Sequence, residues 1–597
     1  MPTRPAKEDT ADTRIGSVGL SYLLDRETMP RMKPSRRLGL AVGLLLLFGC
    51  AEASRTTAPA AGRLVLRIID PSTGGTTPAR VEIRGSDGAY YVALDALRVG
   101  GDCDMSDVGA GYTDLESTLA GFSQRLENPY TGSTQFYSAG TSSVGLPPGV
   151  ATVRVFKGSE FEVAVETVEI PASGRVEHEI SLSRWIDMPA RGWFSADDHL
   201  HIPRPTPELD PLISSMMKAE DIHVANLLQM GKVRNFAIAP QHAHGPGGRY
   251  QDGDYILAAG QENPRTHFIG HTITLGAATP HHDPERYLIY RLLWERAARE
   301  GALNGFAHAA LPSEVFGTLD GMALVAPHGL LHFVEVLQFN RGSYDAWYDL
   351  LALGLRVTPT AGTDFPCAGQ TIPGHERFYT RVHGELTYPK WLEAVRRGRT
   401  FVTTGPVIEF RVDGADIGGE VVLPEAGAVE IRARAVFDPT QDDLALLELV
   451  QNGNVIDRFS RVEGASEIEF SVRHRVVESS WFAVRGFGTR RENTLATPTH
   501  FSSLRPTSNL HTAPIRVTVE GAPSPEGSIR ARRVAREWLA RLADLERVLS
   551  EENLPFLAKR LDLPEFDAVP EATLRHNRKD LLAEIQVARE FFDQYLD

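Results

Sequence analysis

Asp197-Asp198-His199-Leu200-His201 closes an apolar run, and its reading decides the fold of this 597-residue chain. Residues two apart on a strand point to the same face, so the imidazoles of His199 and His201 can meet one ion. Three further clusters each end an apolar run: Gly260-Gln261-Glu262 with Gly270-His271 just after it, Gly305-Phe306-Ala307-His308, and Gly362-Thr363-Asp364. Histidine and carboxylate at the mouths of successive strands are the donors that a metal-dependent hydrolase needs. A His-x-His pair alone is weak, because it arises by chance in many strands. The order and shared position of the whole set are what favour a metal.

Around these clusters the pattern alternates between strand and helix. Strands are expected at 224–228, 255–259, 303–307, 333–339 and 357–361, and helices at 286–299, 344–353 and 389–397. A further helix has Leu212, Ile213, Met216 and Met217 as its apolar side. Repeated βα units imply a parallel sheet, and their count favours barrel-like closure with functional residues where strands end. This central domain is placed at 186–405.

Both flanks read as β-sandwiches. Over 62–185 the runs Leu64/Leu66/Ile68, Val81/Ile83, Val153/Val155 and Val163/Val165 alternate between turn signals, with a Gly, Ser and Asp-rich insertion at 100–140 that reads as a surface loop or lid. Over 406–520, Ile431/Ala433/Ala435/Phe437 alternates and Asn452-Gly453 marks a hairpin. After a linker, 528–597 is expected to hold two helices. Val534, Trp538, Leu542, Leu545 and Leu549 line one face, and Leu574, Leu581, Ile585, Phe592 and Tyr595 line the other. Such spacing signals packing, so the tail is assigned a structural role.

The N-terminus reads as an export signal over 1–50, with Met32 as an alternative start. Arg36-Arg37 precedes a short apolar run that ends in Leu47-Phe48-Gly49-Cys50. This resembles a bacterial lipoprotein signal with Cys50 as the lipidated first mature residue; the competing reading is an uncleaved anchor. Residues 51–61 suit a tether. The expected location is the cell envelope, with the membrane met through a lipid on Cys50. A formal net charge of -15 and the absence of a basic stripe argue against nucleic acid as a partner. Cys50, Cys103 and Cys367 are the only cysteines, which excludes a disulfide scaffold and, once Cys50 is modified, leaves Cys103 with Cys367 as the one available pair.

His199 and His201 can share one ion with Asp364, while Glu262 can bridge to a second ion held by His271 and His308. A divalent ion lowers the pKa of bound water toward neutrality. Asp364, at the end of the last such strand, is then the natural general base. His267, four residues before His271, is a candidate for orienting substrate. Arg265 and Lys232 are candidates for meeting an oxyanion, although the sequence favours solvated charges at both. His223, His242, His244, His281, His282, His328 and His332 lack the strand-end context and read as ordinary.

Taken together, Asp198-His199-Leu200-His201, Gly260-Gln261-Glu262, Gly270-His271, Ala307-His308 and Gly362-Thr363-Asp364 resemble the PHP (polymerase and histidinol phosphatase) superfamily. Within it the chain looks most like the carbaryl-hydrolase-like metallohydrolases of the CehA/McbA family. Gly192-Trp193-Phe194 before the histidine pair, and the stretch from Trp391 through Thr400-Phe401-Val402 to Gly405-Pro406, add to the likeness. The resemblance covers roughly 185–420. It implies a distorted (β/α) barrel with metals at its C-terminal mouth and the same six ligands. Many phosphatases of that superfamily carry Asp-x-His at the last motif and an Asp-His pair after the second strand. This chain has Asp364-Phe365-Pro366 and Leu228-Gln229-Met230 there. Those absent groups would hold a third ion, so one or two divalent ions are expected. Zinc suits the donors, and manganese or iron would also be accepted.

The leading functional expectation is an envelope-anchored hydrolase of a small-molecule ester, carbamate or amide. The alternatives are a phosphoesterase and a non-catalytic envelope binding protein.

Overall fold

The computed structural model describes residues 62–99, 112–128, 131–309, 317–367, 372–490, 507–561 and 568–596. The export signal, tether, Cys50 and Cys103 lie outside the described residues. Cys367 is disulfide-bonded.

Two sheets build the N-terminal part. Gly62–Asp70 pairs with Arg175–Ser181 in parallel and with Thr141–Leu146 in antiparallel sense. The second sheet runs in the order Leu126–Glu127, Thr134–Ser138, Ala79–Arg84, Gly149–Phe156, Ala164–Ile170. Alternation sends Leu64, Leu66 and Ile68 of one sheet, and Val81, Ile83, Val153 and Val155 of the other, into one apolar cluster. The Val163/Val165 expectation is off by one residue. Val165 is exposed, and Val168 and Ile170 face inward. A slip of one position exchanges the two faces of a strand.

The 100–140 stretch, expected as a loop or lid, holds regular structure where it is described. Leu115–Gly121 is a helix capped by Asp114, and Thr134–Ser138 is a buried strand. A buried polar network ties this part to the central domain. Glu220 accepts from Arg80 Nε at 2.6 Å and from the Tyr137 hydroxyl at 2.8 Å. Arg184 donates to Glu160 at 2.7 Å and to Asp221 at 3.0 and 3.2 Å.

The central sheet positions the site. Trp193–Leu200, Val224–Lys232 and Tyr255–Thr266 run parallel. Gly270–Leu275 and Leu303–Phe306 then pair antiparallel, and Leu303–Phe306, Phe333–Gln338 and Thr358–Ala361 run parallel again. The expected run of βα units is thus interrupted at 255–275. Only His267-Phe268-Ile269 separates two of its strands, which is far too short for a parallel crossover, so a hairpin forms. Chain just beyond the last parallel strand lies beside the first. Leu200 and Phe365 form a bridge, Asp364 N donates to His199 O at 2.8 Å, and His201 N donates to Phe365 O at 2.7 Å. Earlier along that same edge the first strand pairs with Arg377–Arg381, which pairs with Thr400–Thr403.

In the C-terminal part, Val407–Val412, Ala415–Asp416, Gly427–Val436 and Glu467–Val476 form a separate sheet. The remaining strands continue the central sheet through Thr400–Thr403 and Asn509–Thr512. Both sets share an apolar cluster with Ile431, Phe437, Leu447 and Val484. Asn452 and Gly453 both have positive φ, 51° and 81°, and turn Asp442–Gln451 into Asn454–Ser460 as the twist of a two-residue hairpin requires.

The tail forms three helices, Ile529–Val548, Leu554–Arg560 and Glu571–Asp593. Trp538, Leu542, Leu545, Leu581, Ile585 and Phe592 join Leu324, Leu350 and Leu351 of the central helices in one apolar cluster. Trp538 and Phe592 meet edge to face at 5.3 Å. Truncating such an anchor removes buried area and leaves a cavity. Trp538→Ala should therefore cost about 3–5 kcal/mol, read as a lowered unfolding midpoint with the metal content of the chain unchanged.

Candidate metal centre

His199 lies at the end of the first strand and His201 just beyond it. Glu262 sits inside Tyr255–Thr266, where the ladder shifts register between Glu262 and Arg265. Glu262 faces Ile273 across this hairpin, and His271, two residues from Ile273, shares that face. His308 follows Leu303–Phe306, and Asp364 follows Thr358–Ala361. Two triads result, His199-His201-Asp364 and Glu262-His271-His308. They meet through one carboxylate. Glu262 Oε2 lies 3.4 Å from His201 Nε2 and 3.9 Å from His199 Nε2. Its Oε1 lies 2.9 Å from His271 Nδ1 and 3.6 Å from His308 Nε2. Asp364 Oδ1 is 3.1 Å from His201 Nε2 and 3.5 Å from His199 Nε2.

The hydrogen bonds behind the histidines fix their tautomers. His201 Nδ1 lies 3.0 Å from the carbonyl of Leu228 and must donate to it. His199 Nδ1 lies 3.0 and 3.2 Å from the two oxygens of Glu335. In the neutral rings both Nε2 atoms then carry bare lone pairs, yet they stand 3.1 Å apart. Two lone pairs at that distance, faced by two carboxylates, repel unless a cation or a proton sits among them. The donor set therefore fits a divalent ion: neutral imidazoles, carboxylates, and hydrogen-bond acceptors behind the rings that hold them in place.

The charges follow the same logic. Burial opposes charge on His199, but the Glu335 and Asp364 carboxylates hold its pKa well above the ordinary value. Burial likewise opposes charge on His201, and Asp364 and Glu262 outweigh it. Burial alone would raise Glu262. The Arg265 guanidinium and the His271, His199 and His201 rings instead hold it well below the usual carboxylate range. Asp364 is pushed up by burial and down, on balance, by His199 and His201. Its side chain is 14% exposed, against 4% or less for the other five, so Asp364 is the member nearest solvent.

The supports of the centre are not evident from the sequence motifs. Glu335, fully buried, orients His199 and also accepts the backbone N–H of His308 at 2.7 Å. Asp197 accepts from the backbone of His199 and Thr363, from the Thr363 hydroxyl at 2.6 Å and from Gly374 N at 2.9 Å. One carboxylate thus ties the histidine strand to the Asp364 loop. Burial raises its pKa to about 6, with those hydrogen bonds opposing. A Cβ at Gly362 would come within 2.5 Å of Glu335 Oε1 and of His199 Cβ, so only glycine fits there. The one signal in the sequence is Glu335 itself, a carboxylate flanked by the apolar residues Phe333, Val334, Val336 and Leu337.

Arg265 corrects the surface-charge reading. It is 5% exposed and its Nε lies 3.5 Å from Glu262 Oε2. Lys232 is partly buried at the end of its strand. His267 packs edge-on against His271, ring centroids 5.4 Å apart, outside both triads. Of the histidines read as ordinary, His244 and His282 come near the mouth. They approach Gln229 at 3.5 Å and Asn263 at 3.4 Å, beside Met230 and Glu262. The other five join no triad among the described residues.

No protein-family model, curated protein or solved structure matches the chain.

Metal binding must displace protons from His199 and His201, and their raised pKa values extend that competition above the ordinary histidine range. The sign follows: affinity rises with pH. From about pH 6 to about pH 8 the apparent zinc affinity should climb, and zinc added near neutrality should release protons measurable in weak buffer. Glu335→Gln removes the carboxylate that raises His199 and should reduce that release. A pH-independent affinity would contradict this assignment.

Proposed function

We propose that the chain is a metal-dependent hydrolase of the PHP type, acting on an ester, carbamate or amide of a small molecule. The observation that carries this reading is the bridging position of Glu262 between the two histidine triads. His199, His201 and Asp364 would hold one divalent ion, and Glu262, His271 and His308 a second. Such ions supply Lewis acidity and make water acidic enough to attack at neutral pH. Asp364, the ligand nearest solvent and ionised by its histidine neighbours, accepts the proton of the attacking water. Arg265, buried beside Glu262, supplies a fixed positive charge to an oxygen that becomes negative during attack. His267 stands one ring further out, where it can orient substrate. The barrel reading of the central sheet and the sandwich reading of the flanks belong to the same proposal.

The phosphoesterase alternative is less well supported. Met230 is buried at the position where a third-ion ligand would be needed, with Arg265 Nη1 against its sulfur at 2.6 Å. A guanidinium there disfavours another cation. The binding-protein alternative leaves the convergence of six metal donors without a purpose.

Asp364→Asn tests the mechanism. Asparagine is nearly isosteric and tolerates the left-handed backbone at this position, where φ is 60°. The fold should survive, while turnover at saturating metal should fall by about 10²–10⁴-fold, the usual cost of losing a general base. Near-normal turnover on any substrate the wild type cleaves would refute the role. A panel of aryl esters, carbamates and phosphate esters separates the substrate classes, and a preference for phosphate esters would overturn the ester, carbamate or amide assignment.

We also propose that the chain is anchored in the cell envelope by lipid on Cys50. Fatty-acid analogue labelling should mark the wild type and not Cys50→Ser. Equal labelling of both would exclude the lipoprotein assignment.

A further inference from the structure

A second concentration of chemistry lies away from the metal centre. Arg356, Arg381, Arg396, Arg397, Arg399 and Arg516 line one cavity of about 530 Å³, where the central sheet meets the C-terminal strands. The chain as a whole carries a net charge of -15, so six guanidinium groups around one cavity are a local reversal of sign. The cavity lies at the opposite end of the strands from the metal donors. Thr358, in its wall, opens the strand that leads to Asp364. Arg381 pairs across the sheet with Trp193, six residues before His199, which is roughly 20 Å at the rise of a strand.

The cavity's own acids do not neutralise it. Asp416 is taken by Arg381 at 2.5 Å and by Arg411 at 3.2 Å. Glu420 lies 3.4 Å from Arg356 and also accepts from Thr518. Glu393, one helical turn earlier, holds Arg397 at 2.7 Å and Arg396 at 3.4 Å. Arg399 and Arg516 are both partly buried, and neither has a carboxylate within 4.0 Å among the described residues. Burial and the neighbouring Arg356 push Arg516 down to about 10, with Glu420 and Glu526 opposing only in part. Two half-buried guanidinium groups with no carboxylate in ion-pair range are costly to hold in one cavity wall. Their planar forks match the oxygens of phosphate and carboxylate. The volume suits a small molecule. A second cavity of about 260 Å³ adjoins the first through Arg381, Asp416 and Ile417, which extends the room along one direction.

We propose that this cavity binds a small multivalent oxyanion, one carrying two or more phosphate or carboxylate groups, at a site separate from the metal centre. The assignment does not depend on the hydrolase reading.

Calorimetric titration of the full chain with tripolyphosphate and with citrate tests it, with orthophosphate as the low-valence control and metal content measured before and after. At least one multivalent probe should bind the wild type at least tenfold more tightly than orthophosphate. The double variant Arg399→Gln/Arg516→Gln should lose at least tenfold in affinity for that probe, with metal content and melting temperature preserved. Arg397→Gln, an exposed change that the fold tolerates, should weaken it severalfold and guards against misfolding of the double variant. Absence of binding by both probes, equal binding in wild type and double variant, or heat that tracks metal loss would each overturn the proposal.

Discussion

Two imidazole nitrogens held 3.1 Å apart, each with a bare lone pair, are the constraint on which the centre depends. Neither ring can turn over to relieve the contact. His201 is committed through Nδ1 to a backbone carbonyl, and His199 through Nδ1 to Glu335. The strand end also points both side chains the same way. What relieves the repulsion is positive charge, as protons or as a metal ion. Without an ion, protons supply that charge, because the neighbouring carboxylates outweigh burial and raise both rings. A divalent cation would take the place of those protons, and its binding free energy would then add to the stability of the folded state.

Holding that arrangement open requires strain elsewhere. His308 has φ 35° and Asp364 φ 60°, both in the left-handed region that residues with a Cβ avoid. Each costs on the order of 1–2 kcal/mol relative to an ordinary conformation. Hydrogen bonds fix both: His308 N donates to Glu335, and Asp364 N to the His199 carbonyl. The Glu335 carboxylate therefore acts twice, orienting one ligand ring and restraining the strained backbone of another. Gly362 is tied to the same point, because any side chain there would collide with Glu335 and His199.

Much of this is legible in the sequence, and the gaps have physical causes. The six side chains that converge can be named because histidines and carboxylates that could hold a metal are chemically distinctive and sit at or near strand ends. Glu335 escapes because a buried carboxylate that acts through a ligand carries no spacing signal. Arg265 reads as a surface charge because burial of a cation depends on a partner distant in the chain or across a bulge. The Gly270–Leu275 strand is hard to see since a three-residue connection after Thr266 gives no helical pattern, and the antiparallel turn follows only once pairing is known. At Val165 the alternation is visible, but which face meets the core is not. The long tail helices read well because their apolar faces repeat over many turns, whereas the short Leu554–Arg560 helix between them offers too few residues to show a period.

The placement of cations in the molecule follows from the same electrostatics. In a medium of effective dielectric near 20, two unit charges about 4 Å apart interact by about 4 kcal/mol, and at about 20 Å by less than about 1 kcal/mol. A guanidinium cluster beside the histidine triads would therefore compete with any divalent ion for Glu262 and Asp364. Moving the cluster to the far ends of the strands removes that competition while leaving it available for an anion. Arg265 is the exception, and its position explains why it is tolerated. It lies against Glu262 Oε2 at 3.5 Å, so its charge is largely balanced in the resting state. Were that carboxylate shared with bound cations, less of its charge would be left to balance Arg265.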